Sequence, residues 1–197
     1  MYDIFVNPDI ESSYKETQMG KVLYNAVLES GAKKIIDFGI LNGYSTVCMA
    51  QAAKQTNGMV YAYDLFDDYE HNRAKLEIVE RNLVKYNVSN FVKIQKKSFD
   101  EWVVDIKEDF DILHVDVSNT GETIEKLYRT LFQKKEKQFR VFFEGGSANR
   151  DEQDWMIKYK KKKINPLLSN IKFRILESSV YEVDGRIMSP SISELIF

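Results

Sequence analysis

Apolar positions along this chain keep two rhythms, and the two alternate. Short apolar runs stand at "KKIIDF" (33–38), "GMVYAYDL" (58–65), "NFVKIQ" (90–95), "FDILHVDV" (110–117), "FRVFFEGG" (139–146) and "IKFRILES" (171–178). Their length and their β-branched and aromatic content predict strands. Between them the spacing becomes helical. Met19, Val22, Leu23, Ala26 and Val27 mark one face of a helix over 19–30, and Leu76, Val79, Leu83 and Tyr86 do the same over 70–86. Helices are also expected over 44–55, 121–134 and 150–164. Strands alternating with helices build βαβ units, so the expectation is a mostly parallel sheet covered on both faces.

The tail departs from this rhythm. Runs 171–183 and 191–197 have no helix between them, and Asp184-Gly185 is a hairpin signal. An antiparallel C-terminal strand beside the sixth is therefore expected. The fold class is α/β: a Rossmann-like three-layer sandwich with a mostly parallel seven-stranded sheet. No internal repeat or Pro/Gly linker divides the chain, so residues 1–197 are read as one domain, with residues 1–30 as a helical segment covering the ligand site.

Composition removes several function classes. Of 197 residues 44% are apolar and 29% charged, and the net charge is −2, so no global basic field attracts nucleic acid or anionic lipid. Cys48 is alone and forms no internal disulfide, which fits a reducing cytoplasm. The N-terminal "MYDIFVNPDIESSYKE" lacks the apolar region of a signal peptide, and no apolar run approaches the roughly 18 residues that span a bilayer. The run "KYKKKK" (158–163) reads as the solvated end of a helix. A cytoplasmic protein with neither nucleic-acid nor membrane partner is expected, and a homo-oligomer is left open.

The chemistry begins where the first strand ends, at Asp37-Phe38-Gly39-Ile40-Leu41-Asn42-Gly43-Tyr44-Ser45. In parallel sheets ligands sit at the carboxyl ends of strands, and glycines there admit a tight turn and close approach. The spacing is G-x-x-x-G, not the G-x-G-x-x-G that wraps a pyrophosphate. Asp37 suits a cationic or amine-bearing ligand better than a phosphate, while Ser45 or Thr46 helps cap the next helix. Asp64, at the tip of the second strand, is placed to accept from both hydroxyls of a ribose. An acid for an amine, glycines for close contact and an acid for a ribose match the groups of S-adenosylmethionine.

These stretches, "DFGILNGYST" and "YAYDLF", resemble the first two motifs of class I S-adenosylmethionine-dependent methyltransferases, and the likeness covers roughly residues 17–146. It implies cofactor contacts from Asp37, Gly39, Asn42, Gly43 and Ser45 in the turn. It implies further ones from Asp64, Leu65 and Phe66 after the second strand, from Ser98 and Phe99 after the third, and from Asp116. Phe66 is a candidate wall for the adenine, and Phe99 either stacks on the base or belongs to the core. The closest subgroup is the small O-methyltransferases, often metal-dependent, that act on sugars and natural products. In it, acids after the fourth and fifth strands hold Mg²⁺, which implies Asp116 and Glu144 here. Gly145 and Gly146 follow Glu144 where relatives often carry another acid or amide, and Ser118 stands where some carry a further acid. In the competing arrangement Glu144 pairs with Arg150 or caps a backbone turn, leaving His114 or Asp116 as a metal-free base. His114 is either a packed core residue or a general base; His71 reads as solvated, with Asp67 and Asp68 capping its helix. Arg150, Asp151 and Trp155 follow the fifth strand, where the acceptor pocket often lies, with Trp155 as helix packing or a substrate platform. The expected function is methyl transfer to a small molecule, most readily at a hydroxyl. A dinucleotide-dependent oxidoreductase and a non-catalytic member of the fold are the alternatives.

Overall fold

Each of the six apolar runs supplies one strand of a sheet in the computed structural model, which describes residues 3–6, 8–68, 74–134 and 138–197. These are β1 (Lys34–Phe38), β2 (Met59–Asp64), β3 (Val92–Lys96), β4 (Ile112–Val115), β5 (Arg140–Glu144) and β6 (Phe173–Ser178). A ribbon of β7 (Tyr181–Val183) and β8 (Arg186–Met188) follows, then β9 (Ser191–Leu195). The helices are α1 (Met19–Ser30), α2 (Tyr44–Thr56), α3 (Leu76–Lys85), α4 (Phe99–Trp102), α5 (Gly121–Phe132), α6 (Ala148–Asp151) and α7 (Asp154–Lys158). The seven-stranded sheet runs β3-β2-β1-β4-β5-β9-β6, with β9 antiparallel to both neighbours. This is the expected Rossmann-like sandwich.

Period-two alternation divides the core between the faces. Ile35, Ala62, Ile112 and Phe142 face the layer holding α1 and α2, with Leu23, Val27 and Val47. Ile36, Phe38, Leu113 and Phe143 face the layer of α5, with Ile124 and Leu127. Strand order reverses between β1 and β4, and that switch point sets the place of a ligand crevice.

Three expectations change. The antiparallel C-terminal strand expected beside the sixth is present as β9, between β5 and β6, but the Asp184-Gly185 turn, with φ of 49° and 74°, closes a separate β7–β8 ribbon instead of joining the two directly. The helix expected over 150–164 breaks into α6 and α7 and stops at Lys158. Lys160 takes a left-handed φ of 49°, and Asp151 accepts from the Ile164 and Asn165 amides at 3.0 and 2.6 Å, pinning an irregular return. Of the lysine run, Lys162 reaches Glu125 at 2.6 Å and Lys163 pairs with Glu152. The helix expected from residue 70 is described only from Leu76. Asp67 and Asp68 lie in a 3₁₀ turn (Phe66–Asp68), where Asp68 meets Lys96 at 2.6 Å instead of capping a helix. His71 lies outside the described residues.

Candidate active site

Alternation also sorts the polar residues. Asp37, Asp64, His114 and Glu144 fall on the same face as Ile35, Ala62, Ile112 and Phe142, each at or near the carboxyl end of its strand. Asp37 and His114 are direct register partners on β1 and β4. Their side chains must therefore meet.

They do so out of reach of water, both side chains being 0% exposed. His114 Nδ1 lies 2.8 Å from Asp37 Oδ1, so the carboxylate holds the proton on Nδ1 and leaves Nε2 as the basic nitrogen. Asp37 Oδ2 accepts from Ser45 Oγ at 2.9 Å and Thr46 Oγ1 at 2.6 Å. The Asp37 carboxylate is thus committed within the protein, and Ser45 bonds to it rather than capping α2, whose N-cap is Gly43. Burial disfavours the imidazolium, but the hydrogen bond and charge of Asp37 outweigh it, raising the His114 pKa above its usual 6.5.

His114 Nε2 faces a residue the sequence reading did not single out. The Tyr14 hydroxyl lies 3.5 Å away. Burial, then the charges of Asp116 and Glu144, raises the Tyr14 pKa well above 10. Asp116, just past β4, is pushed up to about 7, first by desolvation and then by the charge of Glu144. Tyr14 belongs to residues 8–18, a strap of turns laid over the carboxyl edge of β1. Between strap and sheet lies a cavity of about 50 Å³, lined by Glu11–Tyr14, Gly39–Asn42, Tyr44, Ser45 and Asp116.

The glycine turn is shaped first by the chain itself. A Cβ on Gly39, at φ 81°, would stand 2.1 Å from the Asp116 carbonyl oxygen, so the β1 and β4 ends approach this closely only with glycine there. Asp64 holds the turn from the other side: Oδ2 accepts from the Ile40 amide at 2.9 Å and the Leu41 amide at 3.3 Å, and Oδ1 from the Phe66 amide at 2.9 Å. Leu41 and Phe66 sit at φ 45° and 50°, a region costing a bulky residue about 1–3 kcal/mol, and the Asp64 carboxylate joins the two strained turns. Asn42 donates to the Glu11 carbonyl of the strap at 3.2 Å. Leu65 is half-buried beside Phe66, which joins the apolar layer of α1 and α2. Ser98 caps α4, and Phe99 packs edge-on against Phe38, centroids 5.3 Å apart, within the aromatic cluster of the opposite layer.

At the β5 end Glu144 pairs with Arg150. Arg150 Nε lies 2.9 and 3.0 Å from the two Glu144 oxygens, and Nη2 donates to Oε2 at 2.7 Å and to the Asn119 carbonyl at 3.0 Å. Asn119 Nδ2 donates to the Val115 and Glu144 carbonyls, tying β4 to β5. The Arg150 guanidinium lies 4.9 Å over the Trp155 ring, so Trp155 packs against the clamp. The pair of Asp116 and Glu144 expected to hold Mg²⁺ is thus found with Glu144 bonded to Arg150. Both Glu144 oxygens serve a permanent cation, and among the described residues no group of three His, Cys, Asp or Glu could hold a metal ion. A hard cation that needs about six oxygen ligands does not fit a donor set carrying its own guanidinium.

Two members were hidden from sequence reasoning in different ways. Arg150 was visible as a partner for Glu144 but not as the holder of both its oxygens. Tyr14 lies outside the motif-bearing stretch, and nothing in the strap's pattern links it to His114, a hundred residues on.

Comparison with known proteins agrees with this architecture. A family model described as a methyltransferase domain matches residues 36–143. No curated protein sequence matches the chain. Among solved structures, the O-methyltransferase TomG from Streptomyces achromogenes, in complex with SAM, aligns at 14% identity over 95% of this chain and 82% of its own, with a TM-score of 0.59. An O-methyltransferase from Bacillus cereus in complex with SAH aligns at 15% identity over 96% and 84%, TM-score 0.58. Precorrin-6y C5,15-methyltransferase from Geobacter metallireducens aligns at 13% over 98% and 99%, TM-score 0.60. At such identities the likeness carries the fold. Among the described residues no helix is long and apolar enough to cross a membrane.

Proposed function

Because the chain belongs to the methyltransferase-domain family, we propose that it moves a methyl group from S-adenosylmethionine to the hydroxyl of a small molecule, with His114 Nε2 taking the proton. One observation carries the cofactor class: among the described residues the cavity at the β1–β4 switch point is lined by acids, amides, hydroxyls and the apolar Ile40 and Leu41, and by no lysine or arginine. That suits a sulfonium with an amino group and a ribose, and it suits a pyrophosphate badly. The cofactor supplies an electrophilic methyl carbon, and everything else falls to the chain. Asp64 exchanges the amides of Ile40, Leu41 and Phe66 for ribose hydroxyls. Gly39, Asn42, Gly43, Leu65 and Phe66 line the cofactor's path, with Ser98 at its far edge. Asp37 is a positioning residue: it holds Nδ1–H, aims Nε2, and stabilises the imidazolium formed as the oxygen–carbon bond forms and the carbon–sulfur bond breaks. Asp116 accepts a hydrogen bond from the acceptor. The working setting is cytoplasmic, in one domain whose N-terminal segment covers the cofactor.

Thermal unfolding tests this directly. At 100 times Kd, S-adenosylmethionine or S-adenosylhomocysteine adds roughly 2.7 kcal/mol to stability. Stabilisation by NAD with none from either would overturn the reading in favour of a dinucleotide enzyme. Cofactor binding without turnover on any hydroxyl would instead mark a non-catalytic member.

A further inference from the structure

Building on the methyl-transfer reading, we propose that the Arg150 guanidinium is a cation built into the chain at the place where the resemblance implies Mg²⁺. The site then takes no divalent ion, and removing Arg150 turns its acids into a divalent-cation site.

Two departures at the end of β5 fit each other. The resemblance implies a further acid or amide after Glu144, where this chain has Gly145 and Gly146 at φ of 117° and 102°. A Cβ on Gly145 would stand 2.7 Å from Ile164 Cδ1 and 3.7 Å from Arg150 Nε, so a ligating side chain has no room there. Beyond the glycines Ser147 caps α6, its Oγ accepting from the Arg150 amide at 3.2 Å. That short turn lays the guanidinium on Glu144, with Trp155 against one of its faces.

Once there, it does the electrostatic work of an ion. Nε and Nη2 engage both Glu144 oxygens, and the same charge acts on Asp116, which Glu144 repels. Unlike a bound ion it cannot dissociate, and unlike an ammonium it does not lose its proton. A divalent ion would have to break these charge-assisted bonds and then sit beside a buried positive charge. Mg²⁺ also sheds its waters reluctantly, which weights the exchange further against it. With the guanidinium gone, Glu144 and Asp116 are left with Asn119 Oδ1, which is buried and has no hydrogen-bond partner. Two carboxylates and an amide oxygen, completed by water, are ligands that a hard cation accepts.

The experiment titrates the full chain, stripped with EDTA and desalted, with Mn²⁺, following the free ion's electron paramagnetic resonance signal and the protein's Tm. The wild type is expected to leave both unchanged. Arg150→Ser should bind one Mn²⁺ per chain at least roughly tenfold more tightly than the wild type, with a rise in Tm. Adding Glu144→Gln to that variant should abolish both effects. Folding of Arg150→Ser only when Mn²⁺ is present would be the same result, since binding to the folded site is then folding free energy. A folded Arg150→Ser that binds no Mn²⁺ overturns the proposal. So does wild-type binding that Glu144→Gln removes, and that titration decides alone if Arg150→Ser does not fold under either condition. Calorimetry with S-adenosylhomocysteine separates the two readings: its failure to bind strikes methyl transfer and leaves the Mn²⁺ result standing.

Discussion

Asp37 and Glu144 are both buried carboxylates at strand ends on one face of one sheet, yet their partners make them different devices. Asp37 meets an imidazole, which gains and loses a proton near neutral pH. Glu144 meets a guanidinium, which stays charged at any pH the fold tolerates. The first pair can pass a proton on. The second is an internally neutral clamp joining β5 to α6 and, through Asn119, to β4. Burial demands a partner for each carboxylate, and the partner's acidity decides whether the pair does chemistry or holds shape.

The largest effect expected from breaking this contrast is on rate. His114→Asn keeps a donor for Asp37 but removes the base, and methyl transfer should fall about 10²- to 10⁴-fold with the fold intact. The wild-type rate should drop as pH falls through the raised His114 pKa, above 6.5, because the base must be neutral; the variant should lack that limb. A variant as active as the wild type would make His114 a structural residue.

Arg150→Ala attacks the other pair. It strands a buried carboxylate and should cost about 3–5 kcal/mol in urea unfolding, whereas the double change Glu144→Leu with Arg150→Met should recover most of that. A loss below about 1 kcal/mol in the single variant would show that water reaches Glu144 and that the clamp is dispensable.

Asp116 lies between the two pairs. A carboxyl whose folded pKa, about 7, exceeds its unfolded value of 3.8 keeps a proton that the unfolded chain releases first. Its contribution to stability is full below about pH 4 and is lost as pH rises to about 7; the His114 contribution is lost in the same direction, above 6.5. Asp116→Asn should flatten the first part of that decline and stabilise the ligand-free protein at pH 8 by a few kcal/mol, measured as Tm against pH. An unchanged slope would place the decline on His114 alone.

The smallest effect concerns a carboxylate of a third kind, half-exposed and held by amides. Asp64→Ala should weaken S-adenosylmethionine binding by about 1–3 kcal/mol in calorimetry while the protein still folds. Unchanged affinity would confine Asp64 to bracing the turns at Leu41 and Phe66.

How far the sequence could be read differed between these regions for a physical reason. The strands, α1 and the glycine turn were legible because they depend on local spacing: Met19 to Val27 at helical intervals, and Gly39 after a run of buried apolar residues. The break at Lys158 was not, because the residues over 150–164 would suit a helix, and a distant anchor, Asp151 on the amides of Ile164 and Asn165, overrides them. Ser45 was placed near the cofactor by motif position, and Phe99 was open between the base and the core. The structure shows Ser45 bonded to Asp37 and Phe99 in the aromatic cluster on the far face.

By itself the sequence determined the order of strands and helices, the face on which Asp37, Asp64, His114 and Glu144 fall, and the absence of a triple-glycine phosphate turn, because period and chain order are local properties. Tertiary structure alone decided which partner each acid took. The β1–β4 register set Asp37 on His114, the short α6 returned Arg150 onto Glu144, and the strap brought Tyr14 across a hundred residues to the same nitrogen. Pairing of buried charges is settled by distances in the folded chain, and no spacing in the sequence encodes them.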